Sequence, residues 1–295
     1  MRTILLAVAV AALSLGTLRA QDKAVTIADI KKAWQARQDR VKSGKFVIEE
    51  TQTDMRGSQS HFLSGDERKH VVKFREKMGL DTPPVGTPLP ETDTTFKVEK
   101  EVWFSENGMR YSLKGDYMWA PMHLCYEWAH KISVFDGKTA KSLDVDGSKR
   151  APYPSGHISR DPVAIDAGIP TVRIVLMHYR AMNPLLRSSD IESFVLTGNR
   201  SLINGKPAIE LRRTTSPVSR SSTWVAPGQG FAILRTEHVT QELPVQRIDV
   251  RYAEDAEHGL VPTGWDILTY DRAGKLQRAQ YGKVVSYGLG TQLGA

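Results

Sequence analysis

TWVAPGQGFAILRTEHV, residues 223–239, reads as a strand, a turn on Pro227, Gly228 and Gly230, and a second strand returning beside the first. Glycine in a tight turn tolerates the positive φ that short hairpin loops demand, and aromatic and β-branched residues flank the turn. Nothing in this stretch is chemically reactive, and most of the chain repeats its form.

The same signal recurs in both directions. Phe96 to Phe104 returns as Met109 to Lys114 across Asn107-Gly108, and Lys131 to Phe135 returns as Thr139 to Val145 across Asp136-Gly137. Ile191 to Asn199 pairs with Lys206 to Thr214 across Asn204-Gly205, and Thr263 to Tyr270 with Lys275 to Val285 across Ala273-Gly274. In Arg247 to Ala253, Ile248, Val250 and Tyr252 alternate with Arg247, Asp249 and Arg251, the pattern of an antiparallel sheet with one wet face. With Lys45 to Thr51, the count comes to about eleven strands.

Two stretches carry helical spacing instead. Ile27, Ile30, Trp34 and Val41 share one face of a helix over Thr26 to Ser43, capped by Thr26 and stopped by Gly44. Pro170 opens a second helix to Met182, with Val172, Val175, Leu176 and Tyr179 as its stripe. Between them, Thr53 to Thr94 is polar and crowded with Pro83, Pro84, Pro88 and Pro90, which predicts a long excursion or lid; His70 to Met78 within it fits a short strand or a helix. Asp116 to His130 is the most aromatic segment, and Ala151 to Ile169 is turn-rich. The fold class is mainly β with helices (α+β), a single domain over residues 21–295.

Met1, Arg2 and Thr3 precede an apolar run from Ile4 to Leu18, then Arg19 and Ala20. A basic start, an apolar stretch too short to span a membrane comfortably and a small residue at the cut predict a signal peptide over 1–20, cleaved after Ala20, and hence a periplasmic or secreted protein. The net charge of +7 and pI near 9.4 allow peripheral attraction to anionic surfaces. They do not indicate nucleic acid, because basic residues alternate with acidic ones, as in Lys97, Glu99, Lys100, Glu101. Cys125 is the one cysteine of the chain, so no internal disulfide forms.

The motif search is empty: no G-x-S-x-G, no H-E-x-x-H, no P-loop and no dinucleotide fingerprint. His123, Cys125 and Glu127 share one strand face, with His130 on the other; the reading that weighs most is a buried cysteine beside partly exposed histidines rather than a metal or nucleophile site. No catalytic group, metal or cofactor is expected.

The order of elements, together with VFDGKT (134–139), TWVAPGQGFAIL (223–234) and LVPTGWDILTY (260–270), resembles the superfamily of periplasmic lipoprotein carriers and envelope proteins that includes LolA, LolB and RseB. The resemblance implies a curved, incompletely closed antiparallel sheet, a half-barrel, wrapped around two or more helices, with an apolar concavity that holds lipid or lipoprotein acyl chains without catalysis. Trp103, Tyr111, Trp119, Trp128, Phe231 and Ile233 are the candidates for its lining, with Phe231 and Ile233 on one face of their strand and Ala232 and Leu234 on the other. A second reading is a sensor or scaffold that grips an envelope protein through the same fold; a third is a secreted hydrolase of unrecognised type.

Overall fold

The computed structural model describes residues 25–60, 65–120, 124–146, 155–159, 170–183 and 191–290. The expected signal peptide and most of 151–169 lie outside these residues. In chain order the elements are α1 (Ile27–Arg40), β1 (Gly44–Asp54), α2 (Gly65–Lys77), β2 (Thr94–Phe104), β3 (Met109–Ala120), β4 (Cys125–Phe135), β5 (Ala140–Asp146), β6 (Ser155–Ser159) and α3 (Pro170–Tyr179). They continue with β7 (Val195–Ile203), β8 (Lys206–Ser216), β9 (Ser219–Ala226), β10 (Ala232–Thr240), β11 (Leu243–Asp255), β12 (Gly259–Tyr270) and β13 (Leu276–Leu289).

All these strands lie in one antiparallel sheet of order β6-β5-β4-β3-β2-β1-β13-β12-β11-β10-β9-β8-β7. The chain therefore makes two meanders, β1 to β6 and β7 to β13, and closes the seam between them by pairing β13 with β1. α3 lies between the two meanders in sequence, and its buried residues Val172, Val175, Leu176 and Tyr179 pack against the seam strands. The sheet stays open at β6 and β7 rather than closing into a barrel.

The residues quoted at the outset form β9, a short 3-10 turn at Pro227–Gln229, Gly230 in the left-handed region, and β10. α1 begins one residue after the expected cap: the Thr26 hydroxyl accepts from the Asp29 amide at 3.2 Å while Asp29 accepts from the Thr26 amide at 3.0 Å, a reciprocal capping box. α2 settles the ambiguous part of the excursion as helix. The aromatic segment is not a separate unit; β3 and β4 run through it as one long hairpin, turning at Leu124, which takes a positive φ of 55°. β6 is a strand within the turn-rich stretch.

Two packed clusters fill the space under the helices. One joins α3 to the seam strands through Phe46, Phe104, Tyr111, Tyr179, Trp265 and their aliphatic neighbours. The other joins Ile30 and Trp34 of α1 to Leu211, Val225 and Ile233 of β8 to β10. Where α1 meets α3, buried His178 accepts at Nδ1 from the Arg37 guanidinium (3.2 Å) and donates from Nε2 to the Leu260 carbonyl (2.8 Å). Burial, and then the Arg37 charge, hold its pKa well below the usual histidine range, so the neutral ring is the one that packs.

Candidate functional site: an open cleft beside a buried polar floor

β1 alternates strictly, and its inward set is Gly44, Phe46, Ile48, Glu50, Gln52 and Asp54, all buried. Halfway along the strand the chemistry of that set changes from apolar to polar. α3 covers the apolar half: Tyr179 stacks on Phe104 and packs tilted against Phe46, whereas Thr171, at its start, reaches only as far as Glu50.

Glu50 accepts from Lys100 Nζ (2.5 Å), the Thr171 hydroxyl (2.7 Å) and Gln280 Nε2 (2.9 Å). Gln280 also donates to Gln52 (3.1 Å), and Gln52 to Asp54 (3.2 Å). Asp54 accepts in addition from Arg278 Nε (2.5 Å) and Nη2 (3.1 Å), Gln59 (2.9 Å) and the Tyr126 hydroxyl (2.5 Å). Buried charges persist only when paired and hydrogen-bonded, and this chain of contacts satisfies each member. Burial pushes the Glu50 carboxyl up, but the Lys100 charge and the three donors outweigh it and hold it below its ordinary value. Burial pushes Lys100 down against the pull of Glu50. Burial and the Asp54 carboxylate push Tyr126 above the ordinary phenol range, so it stays a donor.

Arg278, at the end of this floor, also lines an open cleft of about 1450 Å³. One wall is the strap that prolongs β1: Met55 donates to the Gln277 carbonyl (2.9 Å), Gly57 to Pro90 (2.9 Å) and Gln59 to Leu89 (2.7 Å), fixing Arg56 to Gln59 beside Pro88. The facing wall is the β10–β11 turn with Leu243 and Val245, and the β12–β13 turn with Arg272 and Lys275. Gln241 and Glu242 both take positive φ (51° and 63°), a conformation costly for residues with side chains. The tip is held by the Gln241 amide on the Val218 carbonyl (2.7 Å) and by Arg220 on Glu242 (2.5 Å). The Asp271 carboxylate is occupied by its own turn, accepting from the Ala273 and Lys275 amides (2.8 and 2.9 Å) and from Gln277 (3.0 Å).

Of the six residues expected to line an apolar cavity, the five whose side chains are described do not line one; Phe231 and Ile233 pack together in a closed cluster and the other three lie apart from them. Tyr111 is 1% exposed inside the α3 cluster, and Ile233 is 4% exposed in the α1 cluster. Phe231 falls in the turn rather than the strand, with φ of 55°, and packs beside Ile233 while its carbonyl accepts from Trp34 Nε1 (2.8 Å). Leu234 is buried in a separate cluster with Ile203, Ala208 and Ala226, so both faces of that strand are covered by protein. Trp103 alternates with buried Val102 and Phe104 and therefore points away from the helices, under Lys45 and Arg110 (4.5 and 5.6 Å from its ring). Trp128 lies on the same outer face, 38% exposed beside Lys97, Lys114 and Tyr281. The Trp119 side chain lies outside the described residues. Cys125 is exposed, not buried as expected, because it starts β4 at the tip of the β3–β4 hairpin; His123 lies outside the described residues, and among the described residues no three His, Cys, Asp or Glu side chains converge as metal ligands.

A first strand ending at Thr51 stops short of this floor. Its signal was present: Glu50, Gln52 and Asp54 keep the parity of Phe46 and Ile48.

No family model matches the chain, and no curated protein matches it in sequence. Solved structures do. A domain from Vibrio parahaemolyticus described as "putative outer membrane lipoprotein-sorting protein domain" aligns over 89% of this chain and 93% of its own at 9% identity, with a TM-score of 0.47. A LolA superfamily protein from Nitrosomonas europaea aligns over 91% and 96%, at 9% identity and 0.45. An uncharacterized conserved protein from Thermus thermophilus aligns over 88% of each chain at 10% identity and 0.30. The chain is thus similar to solved LolA-superfamily structures. At these scores and identities the likeness bears on no residue and no activity, so function is argued from the cleft. Among the described residues no helix is long and apolar enough to cross a membrane.

Proposed function

We propose that this is an exported, non-enzymatic protein of the cell envelope that binds the acyl chain of a lipid or lipoprotein, and that the cleft at the strap end of the sheet is where it does so. One observation carries the reading: the apolar half of the concave face is packed shut by α1 and α3, and the large opening lies beyond them, at about 1450 Å³. That exceeds the roughly 300–1,000 Å³ of ordinary small-molecule pockets. Pro88, Leu243, Val245 and the Tyr270 ring give an acyl chain apolar surface to lie on. Each methylene removed from water there contributes about 0.8 kcal/mol before ordering costs.

The test is direct. Solvent extraction of protein purified from the envelope is expected to release lipid, and a fluorescent fatty acid to bind with an affinity that Leu243→Gln with Val245→Thr lowers. No extractable lipid together with no fatty-acid binding defeats the proposal.

The scaffold reading keeps one supporting feature. β7 is a sheet edge, with Val195 61% and Leu202 70% exposed, and an edge strand of that kind accepts an added strand from a partner. Crosslinking of a partner at β7 that persists when the cleft is filled favours it.

A further inference from the structure

We propose that the cleft selects amphiphiles with an anionic headgroup, phosphate or carboxylate, and that Arg278 is the fixed donor which receives it, with Arg56, Arg272 and Lys275 as the rim. The inference rests on the cleft being the ligand site and adds the chemistry of what it takes.

Arg278 is positioned from below. Its Nε and one Nη2 hydrogen are held by Asp54, which is fully buried and anchored at the same time by Gln59 and Tyr126. A guanidinium carries five N–H donors in a rigid plane, so this leaves Nη1 and the second Nη2 hydrogen on the side away from Asp54, and the side chain is 34% exposed where it lines the cleft. The Asp54–Arg278 pair is neutral by itself, so the charge that selects comes from the walls. Arg56, Arg272 and Lys275 are exposed, line the same cleft and make no ion pair among the described residues. Asp271, the acidic residue among the lining residues described, spends its carboxylate on backbone amides and Gln277. A pre-aimed guanidinium beneath three cations that outnumber the one lining carboxylate, Asp271, is a receptor for an oxyanion, since charge-assisted and bidentate hydrogen bonds to phosphate or carboxylate are the strong ones.

Ordinary surface cations attract any anion through the net charge of +7, whichever of them is removed, whereas a built site loses its preference when particular cations go. The difference is read with dodecyl phosphate, dodecylphosphocholine and inorganic phosphate, all below micellar concentration and at low salt, by titration calorimetry on the intact protein. The anionic amphiphile is expected to bind at least about tenfold more tightly than its zwitterionic counterpart of equal chain length. Arg272→Gln with Lys275→Gln, at exposed positions, should erase most of that difference by weakening dodecyl phosphate far more than dodecylphosphocholine, whose choline cation already offsets its phosphate; Arg56→Gln should act the same way. Equal binding of the two amphiphiles, unaltered by either variant, overturns the headgroup proposal and leaves the acyl-chain site standing. Inorganic phosphate binding as tightly as dodecyl phosphate supports the anion site but assigns it to a free anion and overturns the acyl-chain site. Binding of none of the three overturns both.

Discussion

Removing the Lys100 charge puts the buried floor to its most severe test. In Lys100→Met the side chain keeps its length and stays in a space where Lys100 is 3% and Glu50 0% exposed. Glu50 then loses its ionic partner but keeps Thr171 and Gln280 as donors at 2.7 and 2.9 Å. Breaking a buried pair costs about 3–5 kcal/mol, and two surviving hydrogen bonds to the carboxylate put the expected loss at the lower end, about 3 kcal/mol. For a chain of this size that corresponds to roughly 6–9 °C in Tm. Urea and thermal denaturation followed by tryptophan fluorescence measure it. The pH dependence supplies the signature. In the native protein the Glu50 pKa is depressed, so its contribution is present above the unfolded glutamate range and is lost as pH falls through the folded value. Without Lys100 burial dominates and raises that pKa, so the deficit of the variant is full at neutral pH and shrinks as pH falls toward about 5. The double change Glu50→Leu with Lys100→Met removes both charges and should recover part of the loss, the remainder being the cost of leaving Thr171 and Gln280 without their acceptor. A deficit below about 1 kcal/mol at pH 7, or one that widens on acidification, refutes the account of this pair.

Two further changes probe the architecture. Gly282→Ala places a methyl inside the ring of Trp265, which is fully buried, with Cδ1 only 2.8 Å away, so a loss of about 3 kcal/mol is expected by chemical denaturation. Thr26→Ala removes the reciprocal cap of α1 and should cost about 1 kcal/mol, with Thr26→Ser close to neutral in the same assay.

The legible part of this fold is local. Asn204-Gly205, with φ of 52° and 74°, and Gly230, with φ of 57°, sit at turns that glycine and asparagine announce without any knowledge of tertiary contacts. The caps and stripe of α1 are equally local. What stayed hidden depends on partners far away in sequence. α2 has one buried apolar residue, Val71, and is held by contacts such as Arg75 on the Asp81 carbonyl, so it shows no stripe. Aromatic residues are usually covered, which makes Trp103 and Trp128 lining candidates on sequence alone; Trp103 instead stacks under basic side chains on the outer face. The cleft is invisible locally because Arg56, Leu243 and Arg272 come from three separate hairpins or loops: the pairing of β11 with β12 brings Leu243 to the Arg272 turn, and that of β13 with β1 adds the Arg56 strap.

That pairing joins residues more than two hundred positions apart, and an apolar seam alone would not fix its register, since a slip of two residues keeps every side chain on its face. The polar floor makes such a slip expensive. In the observed register Gln52 faces Gln280 and Asp54 faces Arg278. Moving β13 by two leaves Asp54 opposite a residue without the guanidinium and strands a fully buried carboxylate, at a cost of several kcal/mol. Gly282 works in the same direction from the other side: Trp265 pairs with it and lies over it, and a slip of β13 past β12 brings a side chain under the ring where there is no room. Charge pairing on one flank of β13 and a glycine contact on the other therefore select one alignment, and that alignment is what sets Arg278 between Asp54 and the cleft. The network reads as a cost to stability when each pair is taken singly; as the device that fixes the seam it also fixes the donor of the proposed site. Amide exchange across residues 44–54 and 276–289 in the Glu50→Leu, Lys100→Met protein separates these two contributions, because that variant keeps the packed volume while giving up part of the charge pattern.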